Sequence, residues 1–401
     1  MRILGIIAEY NPLHTGHVYH LQKALELSGA SATIVVLSGN FVQRGEPACV
    51  DKFTRAEWAV RAGADLVLEF PSAYALSSAE RFALGGVRLL QATGIVTDIA
   101  FGCEEGDVST LTELGALLTE EPAEYREALH RHLKLGKSYP RARYDALAQI
   151  GTEERLLQAL TKPNNILAIE YLRAIGMYAP QITAHPITRE GSGYLEEKLQ
   201  GSFASATAIR AALETGNSEV LRYMPSFVGG AMLYDESLPL RKEPVNAMAM
   251  VAMRKMSTDQ LAEIPDVAEG FENVIHKAVR VHTDMNAMLA EIKTKRFTMA
   301  RLKRIAMCSL LGIDNSLVHD IIRSDASEYA KVLAMSQKGR GLLSQISSRS
   351  RLPILMRNAD VLSQNAVIRR SLSVDALSTD ILAIASGRDT HRDNEGPVIV
   401  S

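Results

Sequence analysis

Cysteine is scarce in this chain: Cys49, Cys103 and Cys308 are odd in number and far apart. Neither a disulfide framework nor a four-cysteine zinc site can be built from them, and the expectation is three buried thiols in a reducing cytosol. Long apolar runs are missing too. No stretch reaches the roughly 18 uncharged apolar residues of a membrane span, and Glu9 cuts off the apolar opening before it would make a signal core. The expected location is therefore the cytoplasm. Charge of one sign is also lacking, because Lys+Arg 44 against Asp+Glu 46 leaves a formal charge of −2. Bulk attraction to nucleic acid is excluded, and any RNA contact must come from a local patch. No internal repeat and no low-complexity tract is present.

What remains is an ordinary globular composition, with 47% hydrophobic and 22% charged residues. A length of 401 residues exceeds what one core usually holds, so two or three domains are expected. In the first hundred residues, short apolar runs (Ile3–Ala8, Thr33–Leu37, Leu66–Phe70, Asp98–Phe101) alternate with helical patterns (Val18–Leu27, Arg55–Ala62, Glu80–Gln91). Runs this short suit strands buried on both faces, and the spacing suits βαβ units, so the fold class is α/β with a doubly wound parallel sheet. Another strand is expected around Ile182–Ile187. Helical periodicity returns in Val267–Met288 and Lys303–Leu311, and the polar stretch Ser386–Pro397 looks frayed. The division expected is a catalytic domain over 1–225, a mainly helical domain over 226–385 and a polar tail over 386–401.

The most informative string is Glu9-Tyr10-Asn11-Pro12-Leu13-His14-Thr15-Gly16-His17, between the first expected strand and the first expected helix. Ligands of parallel sheets bind at the carboxyl ends of strands. Gly16 permits close backbone approach, and the helix start offers unpaired N–H groups and a positive dipole end to an anion. His14 and His17 can both donate to phosphate oxygens as charge shifts during displacement. A metal centre is not expected, because His14, His17 and His20 at i, i+3, i+6 drift around a helix instead of converging. Far downstream, Ser205-Ala206-Thr207-Ala208-Ile209-Arg210 opens another helix. Its capping hydroxyl, N–H groups and Arg210 suit terminal phosphates.

His14-Thr15-Gly16-His17 resembles the H-x-G-H signature of the nucleotidylyltransferase superfamily, and Ser205–Arg210 resembles its second signature. Leu37-Ser38-Gly39-Asn40-Phe41, Gln43-Arg44-Gly45-Glu46-Pro47, Phe101-Gly102, Lys162-Pro163-Asn164-Asn165-Ile166-Leu167 and Ala204–Arg210 narrow this to one family. They resemble the bacterial tRNA(Met) cytidine acetate ligases. That resemblance implies a ligase using ATP and acetate to N4-acetylate the wobble cytidine of elongator tRNA(Met) through acetyl-adenylate, with Mg²⁺ bound through the phosphates. It implies an ATP site lined by Ile7, Ala8, Glu9, Tyr10, Asn11, Pro12, Leu13, His14, Thr15, Gly16, His17, Val18, Tyr19 and His20. Gly102, Asn164 or Asn165, Arg189, Ser205, Thr207 and Arg210 would complete it, with His14 and His17 catalytic. Cys103 stands where the family pattern leads one to expect serine. Two other readings are an adenylyltransferase acting on a small phosphate ester and a non-catalytic RNA-binding protein with a vestigial nucleotide fold. The extra helical half argues against the first, and the intact motifs against the second.

Residues 293–304 hold six basic side chains and no acid. Phosphate backbones are the natural partner of such a local asymmetry, so Lys295, Arg296, Arg301 and Arg304 are the expected tRNA contacts. A solvated helix face is the alternative.

Overall fold

The computed structural model describes residues 1–104, 108–189, 199, 203–268, 270–324 and 328–401. The five expected strands form as β1 (Ile3–Ala8), β2 (Ala32–Ser38), β3 (Leu66–Phe70), β4 (Asp98–Cys103) and β5 (Thr183–Thr188). They lie in the order β3-β2-β1-β4-β5, each neighbouring pair parallel. Every residue of β2 and β3 is buried. Val35 and Leu37 join Leu21, Phe53 and Trp58 in one core, while Ile34 and Val36 join Val87, Leu90 and Ile169 in the other. Burial on both faces is why these strands read as unbroken apolar runs.

Helices α1 (Thr15–Ser28) and α2 (Lys52–Arg61) supply the first core, α3 (Ala79–Ala92) and α4 (Pro163–Tyr178) the second. β1 lies between β2 and β4, where the winding of the sheet reverses, and a cavity opens at the carboxyl ends of β1 and β4. Arg55 of α2, wholly buried, fastens this edge. Its guanidinium donates to the carbonyls of Glu9 at 2.6 Å and Ser38 at 3.0 Å, and also to that of Gly39.

After α5 (Ala206–Glu214) the chain is mostly helical and includes α6 (Met299–Leu311) and α7 (Ala366–Ser386). Val267–Met288 holds two helices instead of one, because Asp284 caps a new start at Met285 through the Ala287 N–H; Glu269 lies outside the described residues. The later chain also enters the sheet. Ala330–Met335 forms β6, antiparallel to β3, and both Val398–Ile399 (β7) and Ile354–Leu355 pair with β6. The eight-stranded sheet therefore runs across the boundary expected at residue 225.

The stretch Ser386–Pro397 is anchored, not frayed. Arg392 lies over the Phe53 ring at 4.1 Å, and Asp393 is buried against Lys52 at 3.0 Å. A hairpin, Phe41–Val42 against Glu46–Pro47, follows β2. Its Gly45 has φ +73°, and a Cβ there would lie 2.3 Å from the Arg304 backbone nitrogen. Glycine alone lets α6 sit on this turn. Lys303 pairs with Glu46 across the same contact. All three cysteines are buried and free. Among the described residues, no single helix is long and apolar enough to cross a membrane.

Candidate nucleotide-binding site

The cavity at the β1 and β4 ends holds about 250 Å³. Of the residues expected there, Ile7, Ala8, Glu9, Tyr10, Asn11, His14, Gly16, His17, Tyr19 and His20 line it, as do Gly102, Asn164, Arg189, Ser205, Thr207 and Arg210. Pro12, Leu13, Thr15, Val18 and Asn165 do not. Asn165 is buried, and its Oδ1 accepts the Glu104 N–H at 2.9 Å. Its neighbour Asn164 is the one in the cavity, with Oδ1 accepting from Arg189 at 3.2 Å. Cys103 points away too, its thiol hydrogen-bonded to Thr188 of β5. The departure from serine therefore falls outside the lining.

The sequence builds the histidine pair locally. His14 is the N-cap of α1, and its Nδ1 accepts the Gly16 N–H at 3.1 Å. The His14 N–H in turn donates to His17 Nδ1 at 3.4 Å, and the two rings stack with centroids 3.6 Å apart. With both Nδ1 atoms accepting, the ring proton of each neutral imidazole is assigned to Nε2. His14 Nε2 is buried and has no partner among the described residues. Leaving a buried donor unpaired costs about 1–3 kcal/mol, which an anionic ligand would recover. Burial, reinforced by Arg189 and Arg210, pulls His14 down to about 3. Burial and Arg189 pull His20 to about 4, and burial with His14 takes His17 well below its ordinary value. At neutral pH the site offers uncharged N–H donors. Tyr10, held at φ +45°, packs its buried ring 4.9 Å from His17.

A second helix start faces the first. Ser205 caps α5 by accepting the Ala208 N–H at 3.0 Å, Arg210 donates to the Asn11 carbonyl at 2.7 Å, and Arg44 donates to Thr207 Oγ1 at 3.2 Å. Two helix N-termini plus Arg44, Arg189 and Arg210 make a strongly anion-seeking concavity. Arg44, Gln43, Phe82, Leu167, Tyr171 and Phe203 are further lining residues and were not among the expected ATP residues. Leu167 and Tyr171 recur at helical spacing, which reads in sequence as plain core. The Gly-flanked loop around Arg44 was the one available signal. Among the described residues no group of three or more His, Cys, Asp or Glu side chains is placed to hold a metal ion. A cation bound through a nucleotide's phosphates would need no such group.

The basic cluster is split by its neighbours. Lys295 is exposed. Arg301 lies over Phe297 at 4.2 Å and donates to the Asp266 carbonyl, while Arg304 pairs with the Asp266 carboxylate at 2.8 Å.

A doubly wound sheet with H-x-G-H at the end of its first strand, facing a second helix start, defines a nucleotidyl transferase. The HIGH Nucleotidyl Transferase family matches residues 1–395. The chain is 39% identical over 389 residues to the tRNA(Met) cytidine acetate ligase of Caldanaerobacter subterraneus subsp. tengcongensis, covering 96% of each. It is 39% identical to the ligase of the same name from Acetivibrio thermocellus, over 95% of this chain and 94% of that one. The crystal structure of Thermotoga maritima TmcAL bound with alpha-thio ATP superposes with a TM-score of 0.90 at 33% identity, covering both chains fully. The chain belongs to the tRNA(Met) cytidine acetate ligase family of HIGH nucleotidyl transferases.

Proposed function

We propose that this chain activates acetate with ATP, releasing pyrophosphate, and transfers the acetyl group to N4 of the wobble cytidine of elongator tRNA(Met) in the cytoplasm. The observation that carries this is the stacked pair of His14 and His17, set between two helix N-termini at the switch point of the sheet. An acetate oxygen attacks the α-phosphorus in line with the departing pyrophosphate. His14 and His17 donate to the phosphate oxygens as charge builds, while Ser205, Thr207 and Arg210 hold the β- and γ-phosphates. Mg²⁺ carried by the phosphate oxygens would neutralise part of the charge on the leaving group. The mixed anhydride then acylates the cytosine amine and AMP leaves. ATP–pyrophosphate exchange that depends on acetate is the expected result. Exchange that ignores acetate, or needs a phosphate ester instead, rejects the reading.

Lys295, Arg296, Arg301 and Arg304 remain the proposed tRNA contacts, with Lys295 and Arg296 the better test pair. A Lys295→Ala/Arg296→Ala variant should bind tRNA more weakly. It should also flatten the slope of log affinity against log salt by about 0.7–0.9 for each phosphate no longer neutralised. Acetate-dependent exchange should continue. Unchanged affinity and slope would place the RNA elsewhere. Neutralising Arg301 or Arg304 confuses the readout, since each bonds Asp266.

A further inference from the structure

We propose that Glu9 is the general base of the acetyl-transfer half-reaction, taking the proton that the cytosine amine releases; this rests on the ligase reading above. Glu9 is the single carboxylate among the described residues lining the cavity. A carboxylate beside a triphosphate site weakens anion binding through like-charge repulsion, so its place there calls for a step that uses it.

The geometry holds it ready. Glu9 Oε1 accepts the Gln43 N–H at 2.7 Å, which fixes the side chain, and Oε2 has no hydrogen-bond partner among the described residues. The other titratable groups are poorly placed to accept a proton. His14 and His17 already use Nδ1 as acceptors of backbone N–H groups, and their Nε2 atoms carry protons. His20, at about 4, is a weak base. Tyr10 and Tyr171 are pushed up by burial and stay protonated. Burial raises the Glu9 carboxyl above its ordinary value, against the Gln43 N–H and the charges of Arg210, Arg55 and Arg44. A raised carboxyl is a stronger base once ionised.

Glu9 also stands on the side from which RNA would arrive. Gln43 belongs to the hairpin whose Gly45 and Glu46 carry α6, next to the basic segment. In the step itself the N4 lone pair bonds to the acetyl carbon. The bond from that carbon to the phosphate oxygen breaks, AMP departs with its electron pair, and the N4 proton passes to Glu9.

The test compares the two half-reactions in Glu9→Gln, which keeps an acceptor for the Gln43 N–H. Acetyl transfer to tRNA should fall about 10²–10⁴-fold, a loss roughly tenfold or more greater than that of acetate-dependent exchange. Wild-type transfer should rise with pH through one ionisation that Glu9→Asp retains and Glu9→Gln lacks. Equal losses in both half-reactions would overturn the proposal and assign Glu9 to nucleotide or cation binding. Undiminished transfer in Glu9→Gln overturns it as well. Wild-type protein without acetate-dependent exchange defeats the ligase reading itself and takes the assignment of Glu9 with it.

Discussion

Replacing His17 by Ala yields a folded protein whose acetate-dependent ATP–pyrophosphate exchange is about 10²–10³-fold slower than wild type, a barrier increase of about 3–4 kcal/mol. The size follows from the kind of donor removed. An uncharged Nε2–H aimed into a low-dielectric cavity is set before the reaction begins, so it stabilises developing charge without reorganising. His17 serves the fold through an Nδ1 contact with the His14 N–H at 3.4 Å and ring contacts with His14 and Tyr10, so its removal should cost little stability. His14 plays two parts. His14→Ala removes the same class of donor and also the N-cap of α1, adding about 0.5–2 kcal/mol of destabilisation to the kinetic loss. His14→Asn separates the two, because asparagine is a good cap without the ring donor. It should restore stability and leave exchange slow. A folded His17→Ala protein with near-wild-type exchange would remove the histidines from the chemistry.

The site was legible where chemistry is written into consecutive residues. His14, Gly16 and His17 follow a strand, and one turn of helix brings the two rings together. Ser205, Thr207 and Arg210 likewise share the first turn and a half of α5. Tyr171 was hidden because its meeting with the cavity depends on how separate elements pack, and the Gly-flanked loop gave only a weak signal for Arg44. The same limit applies to charge. Residues 293–304 show six cations in sequence, while Asp266 and Glu46, which occupy Arg304 and Lys303, lie on distant segments. In the fold, the strands buried on both faces declared themselves through apolar runs. β6 did not, because Lys331 interrupts it and it sits among helices. Nor did β7, since two residues carry no period and its anchor is an ion pair made elsewhere.

That anchor should dominate stability, and Lys52→Met is expected to cost about 3–5 kcal/mol. Lys52 is wholly buried, with its Nζ 2.7 Å from Glu69 Oε1 and 3.0 Å from Asp393 Oδ1. Asp375 lies in the same cluster, accepting from the Ser72 N–H and the Tyr329 hydroxyl at 2.8 Å each. Burial alone would lower the Lys52 ammonium, and these carboxylates reverse the effect and hold it above its ordinary value. Removing Lys52 leaves Glu69 without its ion pair and shifts the seating of the terminal segment beside β6 onto the longer Lys331–Asp393 contact at 3.8 Å. The pH dependence identifies the cause. Burial already raises Glu69 to about 7, and without Lys52 it would rise further. A carboxyl whose folded pKa lies above its unfolded value penalises folding at high pH. The penalty shrinks by about 1.4 kcal/mol per unit as pH falls toward the unfolded pKa. The Lys52→Met deficit, measured from urea midpoints, should therefore be smaller at pH 5.5 than at pH 8. Lys52→Met combined with Glu69→Leu should regain part of the loss, because an apolar pair leaves one fewer charge uncompensated. A single variant losing less than about 1 kcal/mol, with no pH dependence, would mean that apolar packing and not this cluster holds the carboxy-terminal chain on the sheet.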